Sequence, residues 1–304
     1  MSIPGNGHRK ALHFHQPPRQ VVSLVPSLTE SLFELGMGSS VVGITDFCIY
    51  PADSLGGITR LGGPKNPRVA DIISLEPDLV LANWEENSRQ TVEALEAAGI
   101  PVWVTFPKTV RQSVDVLWTL AGIYQSSLAA VRLETLEVAL DWAETAVSGK
   151  RGIRYFCPIW HGDYSEGVPW WMTFNQDTYC NDILKVVGGD NIFAERLRHY
   201  PLSADLGIAE PEFAGERDVR YPRVTVDEIL KADPEIVLLP SEPFEFTAAN
   251  QDKIESLLGS TQAAQGRKIF RVDGTLVTWP GTRLARALRE LPQLFAGETF
   301  PGVD

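Results

Sequence analysis

Apolar residues in this chain gather into short β-branched runs separated by stretches of helical period. Val21-Val22-Ser23-Leu24-Val25 predicts a strand closed by Pro26-Ser27. Leu32, Phe33 and Leu35 then recur at helical spacing after Thr29 and Glu30, up to Gly36. Val41-Val42-Gly43-Ile44 predicts a second strand, and Asp71 to Leu75 a short helix. Leu79-Val80-Leu81-Ala82 predicts a buried strand, Arg89 to Ala98 a helix stopped by Gly99, and Val102-Trp103-Val104 another strand. Strands alternating with helices imply a parallel sheet with helices on its faces.

From Thr109 to Val147 the pattern changes, with neither proline nor an alternating run. Thr109 and Gln112 have capping-box spacing, and Gly122 with Ser126-Ser127 divides the stretch into two helices. The second, about Leu128 to Val147, would be roughly 30 Å long at 1.5 Å per residue. Val131, Leu136, Leu140, Ala143 and Val147 mark its expected apolar face, and the helix is expected to act as a rigid spacer. Alternation restarts at Tyr155-Phe156, and a ten-residue pattern returns. Ile72-Ile73-Ser74-Leu75-Glu76-Pro77-Asp78-Leu79-Val80-Leu81 aligns without gaps on Ile229-Leu230-Lys231-Ala232-Asp233-Pro234-Glu235-Ile236-Val237-Leu238, each residue 157 positions on. Both copies read as a helix end, an acid-Pro-acid turn and a buried strand, and Glu85 falls opposite Glu242. The expected organisation is therefore a flexible polar tail at 1–19, an α/β lobe at 20–108, linking helices at 109–149 and a second α/β lobe at 150–304.

Of the 304 residues, 44% are hydrophobic and 22% charged, the balance of a globular chain. A formal net charge of −12 argues against nucleic acid or an anionic membrane as partner. No apolar run approaches the roughly 20 residues of a membrane span. Residues 1–19 carry His8, His13 and His15 but no apolar core, so they do not read as a secretory leader. They imply a cytoplasmic site if the start is complete, and a polar tail is expected there. Cys48, Cys157 and Cys180 form no CxxC pair and are expected to be small buried hydrophobes, not a disulfide or zinc site. No intrinsic cofactor or metal site is expected, and the chain is expected to be a monomer.

Ligands of open parallel sheets bind beyond the carboxyl ends of the strands. The segments after the predicted strands supply Ser27, then Phe47, then Trp84 with Glu85 and Glu86. In the second half they supply Trp160 with His161, Glu242 with Phe244 and Glu245, and Trp279 with Arg283. Trp84, Trp160, Trp170, Trp171 and Trp279 all fall in or beside these segments, whereas Trp103, Trp118 and Trp142 lie on predicted elements. Clustered tryptophans suit a flat ligand, because they bury large area on rigid side chains. The candidate ligand-binding residues are Ser27, Phe47, Trp84, Glu85, Trp160, His161, Trp171, Glu242, Phe244, Trp279 and Arg283. Catalytic signatures are lacking: there is no G-x-S-x-G elbow, no P-loop and no G-x-G-x-x-G after the first strand. A Ser27–His161–acid triad can be composed, but nothing places its members together. Gly188-Gly189-Asp190-Asn191 reads as a helix stop and a turn.

Six segments together resemble the helical-backbone metal receptors, the class III periplasmic substrate-binding proteins, and most closely their cobalamin-binding branch. They are Val22 to Glu30, Tyr50-Pro51, Leu75 to Ala82, Ala98 to Val102, Val187 to Phe193 and Asp233 to Val237, in family order over about residues 20 to 295. The resemblance implies two α/β lobes joined by a long helix, with a ligand cleft between them. It implies a non-catalytic receptor that serves an ABC permease outside the cytoplasm and takes cobalamin, haem or a ferric siderophore. Phe47 and Trp84 match aromatic places of the first lobe, and Trp160 and Trp279 sit where the second lobe contributes. The family's acidic docking positions fall at Ala70, with Asp71 beside it, and at Asp227 and Glu228. The segment Asp205 to Asp218 is an acidic insertion relative to that pattern. A chelatase-like tetrapyrrole enzyme relying on His161, or a ligand sensor that has lost transport, are the alternatives.

Overall fold

A computed structural model describes residues 2–3, 11–164 and 168–296; residues 4–10, including His8, lie outside the described part. The chain divides into two compact units, Met1–Ala139 with Trp279–Ala285, and Leu140–Thr278 with Arg286–Asp304.

The first unit begins with a two-stranded antiparallel ladder, β1 (Ser2–Ile3) and β2 (Leu12–His13). There follow β3 (Val21–Ser23), α1 (Pro26–Glu34), β4 (Val41–Ile44), β5 (Thr59–Arg60), α2 (Val69–Ser74), β6 (Leu79–Asn83), α3 (Arg89–Ala97) and β7 (Val102–Thr105). The strands form a parallel sheet in the order β5-β4-β3-β6-β7. Every residue of β3 and β6 is buried, as expected for interior strands covered on both faces. Pro26 opens α1, where its missing N–H removes no helical bond. Val22, Leu24, Ile72, Val80, Val92 and Leu95 join sheet and helices in one apolar core.

Two helices follow, α4 (Val110–Tyr124) and α5 (Ser127–Val147), split by Gln125 in the left-handed conformation. Thr109 caps α4 by accepting from Gln112 N–H, while the Gln112 side chain reaches Lys108 N–H and not that of Thr109. The buried face of α5 is Ala129, Leu133, Leu136 and Leu140. Val131, expected on that face, is exposed, as are Leu128, Val138 and Trp142. The boundary between the units falls within α5, inside the stretch 109–149 read as linking helices, and Trp279–Ala285 returns to the first unit. Arg283 there makes a two-point ion pair with buried Glu30, and Thr282 N–H donates to Ser31.

The second unit contains β8 (Ile153–Phe156), β9 (Trp160–Tyr164), β10 (Val168–Met172), α6 (Tyr179–Val186), β11 (Gly189–Asn191), α7 (Leu202–Asp205), β12 (Arg223–Thr225) and α8 (Val226–Ala232). Then come β13 (Ile236–Pro240), α9 (Ala248–Leu257), α10 (Gln262–Gln265), β14 (Ile269–Val272), α11 (Thr275–Thr278) and α12 (Leu284–Ala296). Strands β11-β8-β13-β14 form a parallel sheet, and β12-β10-β9 a separate antiparallel one that the strand–helix alternation did not predict. Gly188 stops α6 with φ of 101°, as read from the sequence. Gly189-Asp190-Asn191, however, forms edge strand β11 and not a turn.

The repeated pattern has one physical meaning in both units. Glu76 and Asp233 occupy equivalent left-handed positions, with φ of 46° and 45°, that end α2 and α8. Two residues on, Asp78 N–H donates to Gln20 C=O and Glu235 N–H to Arg154 C=O, both at 2.8 Å. The carboxylates return the favour: Asp78 accepts from Arg19 and Gln20 N–H, and Glu235 from Arg154 N–H and the Arg151 guanidinium. The second acid of each turn thus ties its strand to the neighbour before the ladder begins.

Candidate functional site

In the first unit, the turn after β4 is built around Cys48. Its thiol is buried between the Thr29 and Thr45 hydroxyls, at 3.1 and 3.2 Å, and burial pushes its pKa up. Arg60 donates to the Thr45 and Cys48 carbonyls, and Asp46 N–H to Gly62 C=O. With both sides of the turn anchored, Phe47 projects to solvent at 61% exposure.

The turn after β6 uses a buried amide clamp. Asn87 accepts from Asn83 N–H at 2.7 Å and donates to Leu24 and Pro64 C=O, while Asn83 Oδ1 accepts from Glu85 N–H. Glu85 C=O in turn accepts from Lys65 Nζ. Trp84 is thereby held 63% exposed, its ring 6.1 Å from that of Phe106, which follows β7. Two large aromatics presented to water on ordered turns cost apolar hydration unless something covers them.

The remaining first-unit candidates are buried. Ser27 lies at the start of α1, its hydroxyl without a hydrogen-bond partner beside a cavity of about 10 Å³ shared with Asn83, Thr105 and Ser113. Trp279 and Arg283 belong to this unit and not to the second lobe assigned from the resemblance. The Arg283 guanidinium stacks 4.3 Å over Tyr50 and 5.3 Å from Trp279 while paired with Glu30. That arrangement fixes the 279–285 segment to α1.

In the second unit, Trp160 opens β9 at 44% exposure, with the Phe244 ring 5.5 Å away. His161 packs edge-on against Phe244 at 4.6 Å, and Phe244 against Phe246 at 4.9 Å. Phe244 follows β13 in a loop fixed by Ser241 N–H to Val272 C=O and by Gly274 N–H to Ser241 Oγ. A Cβ on Gly274 would lie 2.4 Å from Glu242 N, so no larger residue fits against this half-buried loop. Trp171 is paired with His161 and lies on the face of the hairpin opposite Trp160; it is 4% exposed in the apolar core, so it is not presented to a ligand.

Among the docking candidates, Asp71 pairs with Arg68 at 2.6 Å and Asp227 is exposed. Glu228 is committed elsewhere: it closes a capping box with Thr225 and pairs with Arg196 at 3.1 Å. The segment read as an acidic insertion begins at a fully buried Asp205, which accepts from His199 and Arg223 N–H and pairs with Arg196. Asp205 is therefore an anchor and not a solvated loop charge. No group of three or more His, Cys, Asp or Glu suited to a metal ion occurs among the described residues.

Sequence reasoning gave no site role to Phe106, Tyr50 or the clamp of Asn83 and Asn87. The rule that sites follow strand ends could have found Phe106, which lies two residues past Val104. The clamp left no such signal, since asparagine in a loop is ordinary.

Comparison with known proteins places these features. A vitamin B12-binding protein of Vibrio cholerae is 20% identical over 276 residues, covering 90% of this chain and 88% of its own. The crystal structure of the periplasmic vitamin B12-binding protein BtuF of V. cholerae superposes with a TM-score of 0.73 at 20% identity, over 92% of this chain and 97% of that one. The haem-binding protein RhuT of Roseiflexus sp. RS-1 gives 0.70 at 21% identity, over 92% and 99%. The profile of the periplasmic binding proteins matches residues 21–276. The chain therefore belongs to the periplasmic binding protein family, whose members are substrate-binding proteins of ABC importers and not enzymes.

Proposed function

We propose that this chain captures a flat metal chelate of the corrinoid type as cargo for an ABC importer. The observation that carries the reading is the presentation of Phe47 and Trp84, in the first unit, on turns whose backbones are fully tied down. Trp160 with Phe244 offers a second aromatic face in the other unit. Rigid, exposed rings of this kind gain most from a broad apolar ligand face and lose little entropy on binding. The relatives named as vitamin B12-binding and haem-binding support the ligand class.

Between corrinoid and haem, the ligand's demand on the protein favours the corrinoid. Haem iron takes its axial ligands from the protein, and His161, packed edge-on against Phe244, is the one histidine among the candidate residues. Cobalamin brings axial as well as equatorial ligands and asks the protein only for stacking and polar contacts. Delivery to a permease would use exposed Asp227, since Glu228 is held by Thr225 and Arg196. Titration with cobalamin, haem and a ferric siderophore, followed by tryptophan fluorescence and calorimetry, tests the reading. Saturable binding of cobalamin in preference to haem is expected; no binding of any of the three would overturn it.

A further inference from the structure

A chain with a net charge of −12 nevertheless gathers five arginines between residues 196 and 223. Three have carboxylate partners: Arg196 with Asp205 and Glu228, Arg217 with Glu212, and Arg220 with Asp218. Arg198 and Arg223 make no ion pair among the described residues. The Arg198 guanidinium lies 4.2 Å over the Tyr200 ring, whose other contact at 4.2 Å is Arg217. Arg223 lies 5.9 Å from the Trp170 ring and donates to Tyr221 C=O. Burial, and next the charge of Arg198, push the Arg223 pKa down; Asp205, Tyr200 and Asp218 act in the opposite direction. Asp205 and Asp218 are already committed to Arg196 and Arg220. Asp218 acts on both guanidiniums and Asp205 on Arg223, but each of these carboxylates is paired with another arginine, so the two half-buried guanidiniums share anions they do not pair with.

Their place in the fold matters as much as their charge. In the antiparallel sheet, Met172 pairs with Trp160 on one side and with Arg223 on the other. Directly paired residues share a face, so Trp160, Met172 and Arg223 form one row. The neighbouring Trp171 and Val224 point the other way, into the core. With strands spaced about 4.8 Å apart, Arg223 lies about 10 Å across the face from Trp160. That is within the span of a tetrapyrrole-sized ring.

We propose that Arg198 and Arg223 form a binding site for an anionic group, a carboxylate or phosphate, carried on the periphery of the ligand that stacks on Trp160. The assignment rests on the proposed function for its ligand and deepens it by giving that ligand a peripheral anionic group. Guanidinium recognises both anions through paired N–H donors, and stacking of Arg198 on Tyr200 preorganises one of the two donors.

The test uses the full chain, the double variant R198Q/R223Q and its charge-keeping counterpart R198K/R223K. Pyrophosphate and citrate serve as free anion probes in thermal unfolding. Cobalamin against cobinamide, which lacks the nucleotide phosphate, and haem against its dimethyl ester serve as matched ligand pairs. The free anions are expected to raise the melting temperature of wild type and of R198K/R223K, but not of R198Q/R223Q. In at least one pair the anionic member is expected to bind wild type about tenfold more tightly, a preference lost in R198Q/R223Q. Preference within the phosphate pair identifies a phosphodiester source, and within the haem pair a carboxylate source. Trp160→Ala is expected to weaken both members of a pair equally. Anion stabilisation without binding of any chelate would uphold the site and reject the flat-ligand reading. An equal response of wild type and R198Q/R223Q to the free anions would overturn the site whatever the chelates do.

Discussion

Phe47 and Trp84 stand on turns that hold their shape without them, so removing either ring separates binding from folding. Phe47→Ala and Trp84→Ala are each expected to weaken cobalamin binding about 10- to 100-fold, the usual range for an aromatic anchor, by calorimetry. The melting temperature should stay within about 1 °C of wild type, because neither ring is part of the core. The cysteines behave in the opposite way. Burial raises the thiol pKa of Cys48 and raises that of Cys157 well above its ordinary value. Both should remain unreactive toward Ellman's reagent at pH 8 in the folded chain and become reactive in denaturant. The exposed aromatics were legible in the sequence because ligand sites follow strand ends. The buried pairing of Glu30 with Arg283 was not, since the two lie 253 residues apart and nothing local marks their contact.

At the scale of elements, the acid-Pro-acid turns account for the repeat that the sequence displays. Their second acid had no assigned role until the strand ends were seen, because accepting a backbone N–H from another strand leaves no local pattern. Glu235 is partly buried, which raises its pKa, but the Arg154 N–H and Arg151 together outweigh this and hold it low. Asp233 is held low by the Gln262 side chain and N–H. Both folded values lie below the unfolded ones near 4.5 and 3.8. Their stabilisation is therefore present above those unfolded values and is lost as the pH falls through the folded values. Urea unfolding from pH 7 to pH 3 should show stability falling below about pH 4. Glu235→Gln should lower stability at pH 7 by about 1–2 kcal/mol and flatten that fall. Asn87→Ala removes an acceptor and two donated bonds from the Trp84 turn. It should cost about 1–3 kcal/mol of stability and weaken ligand binding together, unlike Trp84→Ala. The antiparallel sheet of β9, β10 and β12 escaped the sequence reading for a different reason. Trp170-Trp171 and Trp160-His161 read as loop aromatics because strand–helix alternation leaves no place for a hairpin, and β12 is contributed from 50 residues further on.

For the whole molecule, two α/β units and a linking helix were legible from strand–helix alternation, the 157-residue offset and the proline-free stretch after Thr109. The unit boundary was less so, because contacts and not chain order decide membership: Trp279–Ala285 joins the first unit through Glu30 and Ser31. The family assignment makes the chain a binding protein, and the exposed rings on tied-down turns support the proposal that its cargo is a flat chelate. That claim is most directly tested by calorimetric titration of the full chain with cobalamin, run in parallel on wild type and the Phe47→Ala/Trp84→Ala double variant. Saturable one-to-one binding by wild type, with at least a hundredfold loss in a variant that melts like wild type, is the result predicted. Equal cobalamin affinity in the two proteins, or none in wild type, would contradict it.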